Sequence, residues 1–159
     1  DYLPDAQWQR CMVHFYRNVF SHIPSTKVRE VTHMLKAIHA QENRKAAQEK
    51  AEAVITDLRA QRMTKAADLI EESIGETLTY YGFPDSHWRK IRTNNPLERI
   101  MKEIRRRTRV VGAFPDGQSC LNLAAARLRH IAAGKWSARK YMCMTPLYQE
   151  QHQNQGAVA

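Results

Sequence analysis

The residues best placed to do chemistry lie at the start of one strongly basic stretch. Glu98 is followed at helical spacing by Lys102, Arg105 and Arg109, so a helix would set one carboxylate and three cations on a single stripe. Between Ser86 and Arg109 there are nine Lys/Arg against two Glu, a net of +7. The chain as a whole carries +9, which leaves only +2 for the other 135 residues. A charge concentrated in this way points to a polyphosphate partner. Two readings of Glu98 follow from the residues alone. It is a capping carboxylate making an ordinary i,i+4 pair with Lys102, or it is a metal ligand beside a nucleic-acid backbone. Glu103, four residues after Arg99 and four before Arg107, reads as a solvated pair former.

A helix must position these groups. Asn95 is a candidate N-cap, Pro96 suits the first helical position, and Glu98 then completes a capping box. Leu97, Ile100, Met101 and Ile104 recur at i, i+3, i+4 and i+7, which predicts an apolar stripe facing a core, with the cations outward. The consecutive Arg105, Arg106 and Arg107 point in three directions, so at most two of them reach one backbone path.

The rest of the chain reads as mainly helical. Trp8 to Phe15 resembles a short strand, with a helix following through Phe20. Pro24 with Ser25 or Thr26 signals a helix start, and Val28, Val31, Leu35 and Ile38 keep helical period. Ala47, Ala51, Val54 and Leu58 mark a second helix. Met63, Ala67, Ile70, Ile74, Leu78 and Tyr81 mark a third, ended by Gly82-Phe83-Pro84. An all-helical block over about 25–82 follows, since it holds no proline and only Gly75 before its end. Beyond the basic helix, Val110 to Pro115 turns the chain and Pro115-Asp116-Gly117 starts another helix, rich in small residues, with Gly134 as its stop. Residues 149–159 are polar and without period.

Composition excludes several classes. The chain has 159 residues, 43% of them hydrophobic, enough for one buried core, and no apolar run approaches the roughly 18 residues that span a membrane. Three widely spaced cysteines, Cys11, Cys120 and Cys143, suggest reduced thiols and a cytoplasmic protein. Cys11 and His14 could be half of a zinc site, but a structural zinc needs four ligands and no second pair stands at suitable spacing. Trp88, set among His87, Arg89, Lys90 and Arg92, could stack a nucleic-acid base or could anchor its loop to the core.

Two motifs carry a family resemblance. Asn95-x-x-Glu98-Arg99, followed by Glu103-Ile104-Arg105-Arg106-Arg107-Thr108-Arg109-Val110-Val111-Gly112 and Phe114-Pro115, resembles the C-terminal signature of the Mutator-type bacterial insertion-sequence transposases. Trp8-Gln9-Arg10-Cys11-Met12-Val13-His14, with Arg17-Asn18, is similar to the Cys-x-x-His element of the same family. The resemblance covers the chain to about Tyr148. It departs at Met101, where the family usually shows Asn.

The resemblance implies a DDE transposase with a ribonuclease-H-like catalytic fold, in which two Asp and one Glu hold two Mg²⁺ or Mn²⁺ ions. One ion activates water or a 3′ hydroxyl and the other stabilises the leaving oxygen. Glu98 matches the catalytic and metal-binding Glu. The two Asp have no match, since Asp1 and Asp5, the only ones before Cys11, lack the expected context. The chain is therefore read as the C-terminal part of a transposase, inactive and without bound metal by itself. The expected fold is mainly α, with at most one or two short strands. Its divisions are the end of the ribonuclease-H-like core at 1–23, a helical insertion at 24–85, the Glu98 basic helix and C-terminal helices at 86–148, and a disordered tail at 149–159.

The implied partners are double-stranded DNA, both transposon ends and target, and further copies of the protein in the active complex. Localisation follows as bacterial cytoplasm, associated with the nucleoid. Candidate DNA-binding residues are Arg89, Lys90, Arg92, Arg99, Lys102, Arg105, Arg106, Arg107 and Arg109; Cys11, His14 and Trp88 are candidates for positions near the active site. The alternative is a non-catalytic helical DNA-binding or oligomerisation module.

Overall fold

The computed structural model describes Pro4, residues 6–134 and residues 141–149. Among the described residues, helices run in the order α1 (Met12–Phe20), α2 (Val28–Ile38), α3 (Arg44–Ala60), α4 (Thr64–Thr77), α5 (Asp85–Ile91), α6 (Asn95–Val111) and α7 (Gly117–Ala132), with 3₁₀ turns at Ser25–Lys27 and Thr79–Gly82 and a further helical stretch at 145–149. Among the described residues the fold is mainly α and contains no strand. Asp1, Asp5 and the expected tail from residue 150 onward lie outside the described residues. The chain forms two units, one running to Thr93 and including the segment from Met144, the other Asn94–Cys143.

The first unit closes around its own core. Helices α1, α2, α3 and α4 pack in cyclic order, with α3 against α4 the most extensive pairing. Each presents one apolar face inward: Phe15, Tyr16 and Val19 from α1, Val31, Leu35 and Ile38 from α2, Ala51, Val54, Ile55 and Leu58 from α3, and Ala67, Ile70 and Ile74 from α4. The helix-start signal at Pro24 and Ser25 corresponds to the 3₁₀ turn that leads into α2. Asn43 caps α3 by accepting the Ala46 N–H at 2.8 Å. Arg62, with φ +61°, ends α3 in a left-handed turn. The Met63 N–H reaches Leu58 O at 2.9 Å and the Arg62 N–H reaches Arg59 O at 3.0 Å. This is a Schellman closure with arginine where glycine is usual, and buried Met63 adds an apolar side chain to the turn.

The strand expected over Trp8–Phe15 is not formed. Met12, Phe15, Tyr16 and Val19 have helical spacing, and burying that face makes α1 begin at Met12. The extended residues before it serve a helix end instead of a sheet. Arg10 N–H donates to Glu76 O at 2.9 Å, and the Gln9 side chain donates to Thr77 O at 3.0 Å while accepting from the Tyr80 N–H at 2.8 Å. These bonds satisfy carbonyls left open at the end of α4.

A buried polar network crosses this core. His39 Nε2 lies 2.9 Å from Thr77 Oγ1, which donates to Ile74 O at 2.7 Å. On the other side of the ring, Nδ1 lies 3.0 Å from the Tyr16 hydroxyl and 3.1 Å from Leu35 O, and the hydroxyl itself donates to Leu35 O. Burial pushes the His39 pKa below its ordinary value, and the nearby positive charge of Arg92 acts in the same direction.

In the second unit α6 packs against α7. Gly112 ends α6 at φ +77°, a backbone that glycine adopts without strain, and Asp116 caps α7 by accepting the Ser119 N–H. The expected capping box at Asn95 is not formed. Asn94 stands at the N-cap without a side-chain capping bond, Asn95 opens the helix, and the Glu98 N–H bonds to Asn94 O at 3.0 Å. Nor does the apolar stripe of α6 reach a closed core. Neither α6 nor α7 has a buried residue; Leu97 is 56% exposed, Met101 40%, and Ile100 and Ile104 are half-buried. Two helices cover one flank of each other and cannot enclose a stripe.

Candidate functional site

The cations of α6 fall into two sets. Arg99, Lys102, Arg105 and Arg109 are exposed and form no ion pair among the described residues, and Glu98, half-buried, lies on the same face as the last three. Arg106 and Arg107 are instead drawn to Glu103. Arg106 approaches it with two parallel bonds, Nε to Oε2 at 3.0 Å and Nη2 to Oε1 at 2.9 Å. Arg107 Nε lies 3.5 Å from Oε1, and Arg127 reaches over from α7 to the same oxygen at 2.7 Å. Glu103 is thus a half-buried hub for three guanidinium groups, not a solvated pair former. Hydrogen bonding from Arg106, with the charges of Arg106 and Arg127, holds its carboxyl at about 2, well below the ordinary 4.5.

The remaining sequence-derived candidates belong to the first unit, whereas Glu98 belongs to the second. Arg89 and Lys90 are exposed in the last turn of α5, and Arg92 is its half-buried C-cap, whose carbonyl accepts the Met12 N–H at 3.1 Å. Trp88 sits on α5, in a short helix where the sequence suggested a loop. Its indole N–H donates to Phe83 O at 2.7 Å, and its ring meets Tyr80 and Tyr81 edge-on, at 5.5 and 4.7 Å between centroids. Cys11 is the half-buried N-cap of α1, and His14 is exposed one turn further on. No group of three His, Cys, Asp or Glu that could hold a metal occurs among the described residues.

The acid at Glu98 does not by itself fit a divalent metal. One Glu98 oxygen is shielded from water, as is the side-chain oxygen of Asn94 a turn earlier, which accepts no hydrogen bond from the described residues. Two such oxygens fall short of the six or more that hard cations require, and Lys102, Arg105 and Arg109 share the face. Sequence reasoning missed the Glu103 hub because its third arm, Arg127, comes from another helix. The one available signal was an acid three and four residues before two arginines.

A family assignment follows from comparison with known proteins. Residues 1–138 match the family described as "Transposase, Mutator family". The chain is 34% identical over 146 residues to the transposase for insertion sequence element ISRM5 of Rhizobium meliloti, covering 91% of this chain and 36% of that protein. It is 35% identical over 145 residues to the transposase for insertion sequence element IS406 of Burkholderia multivorans, covering 91% and 37%. It is 34% identical over 126 residues to the transposase for insertion sequence element IS1081 of Mycobacterium tuberculosis, covering 79% and 30%. No solved structure matches the chain. The chain belongs to the Mutator family of transposases, and it spans between 30% and 37% of the length of these relatives. No helix among its described residues is long and apolar enough to cross a membrane.

Proposed function

We propose that this chain is the DNA-contacting C-terminal part of an insertion-sequence transposase with a ribonuclease-H-like catalytic domain, which cuts and joins DNA by metal-dependent phosphoryl transfer. The observation that carries the reading is the face of α6 on which Lys102, Arg105 and Arg109 stand exposed beside Glu98, with no ion pair among the described residues. Cations without internal counter-ions are free to neutralise phosphates, and releasing condensed counterions from DNA makes such binding salt-dependent. Glu98 supplies one carboxylate ligand for Mg²⁺ or Mn²⁺ in the complete protein. The described residues bring no second and third acid together at Glu98, so we expect this chain alone to carry out no strand cleavage.

The test is a titration of the chain with duplex DNA over a salt series. Binding should be nearly independent of sequence, and Arg105→Ala with Arg109→Ala should lower the slope of log K against log salt by about 0.9 for each phosphate no longer neutralised. An unchanged slope would remove α6 from the interface. In the complete protein, Glu98→Gln should abolish cleavage and joining while leaving DNA binding intact, because Gln keeps the side-chain shape but loses the charge a metal requires. Retained transposition would end the assignment of Glu98.

A further inference from the structure

We infer that Glu103 is a positioning residue that sorts the arginine run of α6, leaving Arg105 and Arg109 to DNA phosphate and holding Arg106 and Arg107 in pairs within the helix, at the carboxylate that also meets Arg127 of α7. The inference rests on the reading that α6 contacts DNA, and it names which of its cations do so. Successive side chains diverge by about 100° around a helix, so Arg105, Arg106 and Arg107 cannot follow one phosphate path together. Some feature must decide which of them leave it. Glu103 lies on the flank between Arg106 and Arg107, away from the stripe of Lys102, Arg105 and Arg109.

Its carboxylate takes two bonds from Arg106, at 2.9 and 3.0 Å, and the 3.5 Å approach of Arg107. Arg127 from α7 meets it at 2.7 Å, so the same group ties the two helices together. A carboxylate has about four acceptor positions, and these three guanidinium groups use them. With its carboxyl held near 2, Glu103 is an anion throughout the range in which DNA is a duplex, and it competes with phosphate for Arg106 and Arg107. Arg105 and Arg109 have no such competitor among the described residues.

Salt dependence separates a sorting role from a purely structural one, because it reports how many phosphates the chain neutralises. The measurement is duplex binding by the 159-residue chain in a salt series, for the wild type and four single variants. Arg105→Ala should lower the slope by about 0.9, while Arg106→Ala, an equally conservative change on the same exposed helix, should leave it unchanged. Glu103→Gln should steepen the slope by about 0.9 for each arginine released to phosphate. Glu72→Gln, which adds the same charge on exposed α4, should not.

Equal reductions of slope in Arg105→Ala and Arg106→Ala overturn the sorting while leaving DNA binding by α6 standing. So does a Glu103→Gln slope no steeper than that of Glu72→Gln. A wild-type chain without salt-dependent binding, or an unchanged slope in Arg105→Ala, overturns the DNA reading and the sorting with it.

Discussion

Helices α2 and α6 carry the same kind of apolar period and meet opposite fates. In α2, Val31, Leu35 and Ile38 are fully buried because α1 and α3 close on that face. In α6, Leu97 and Met101 stay exposed, and among the described residues of its unit the helix packed on it is α7. Periodicity says which face of a helix can be buried; the number of neighbours decides whether it is. Charge pairing differs between particular helix faces. In the four-helix unit Arg59 bridges α3 to α4 through Asp68 and Glu71, at 3.0 and 2.7 Å, so that exposed cation is matched by acids. In α6, Arg99, Lys102, Arg105 and Arg109 form no ion pair among the described residues, while Arg106 and Arg107 are tied to Glu103.

The largest expected effect breaks or upholds this comparison directly. Leu35→Ala removes a fully buried side chain and should destabilise the four-helix unit by about 2–5 kcal/mol. Leu121→Ala, at a leucine of α7 that is 64% exposed, should change stability by no more than about 0.5 kcal/mol. Urea unfolding of both variants measures the contrast. Similar losses would mean that the α6–α7 unit has an enclosed core after all.

Next in size is the buried network, which has no counterpart in α6 and α7. Thr77→Val keeps the shape but leaves His39 Nε2 without its partner, at a cost of about 1–3 kcal/mol. The same network makes stability depend on pH. The His39 pKa is lower folded than unfolded, so the unfolded chain binds more protons between the two values. Its contribution is therefore complete above the unfolded value, about 6.5, and is lost as pH falls toward the folded one. Stability measured across that window should decline on acidification in the wild type, and His39→Gln should flatten the decline. An unchanged profile in His39→Gln would show that the network is not what responds.

These contrasts mark how far the sequence could be read. The helical block over 25–82 was legible because Val31, Leu35 and Ile38, and likewise Ala67, Ile70 and Ile74, repeat at helical spacing between recognisable breaks. The turn at Arg62 was not, since a left-handed arginine carries none of the glycine signal such turns usually show. Trp8–Phe15 misled because aromatic residues bounded by Pro4 suit a strand, while the partner that orders the extended residues is the end of α4, some seventy residues on. At the candidate site, the basic stripe with Glu98 could be read locally. The division of its arginines could not, because it depends on Arg127 in another helix.

The smallest effect sharpens the comparison at the two helix starts. Asn43 and Asn95 both stand near the N-terminus of a long helix, and of the two only Asn95 is a cap expected from the sequence. In the structure only Asn43 makes a side-chain bond, to the Ala46 N–H, so Asn43→Ala should cost about 1 kcal/mol. Asn95 is the exposed first residue of α6, and the N-cap, Asn94, makes no capping bond. Alanine also favours the helix slightly over asparagine, so Asn95→Ala should shift stability by no more than a few tenths of a kcal/mol. Helix content and the unfolding midpoint of the two variants test this together. A loss near 1 kcal/mol at Asn95 would mean that the capping box joining it to Glu98 does form in solution, leaving the Glu98 carboxylate occupied by its own helix.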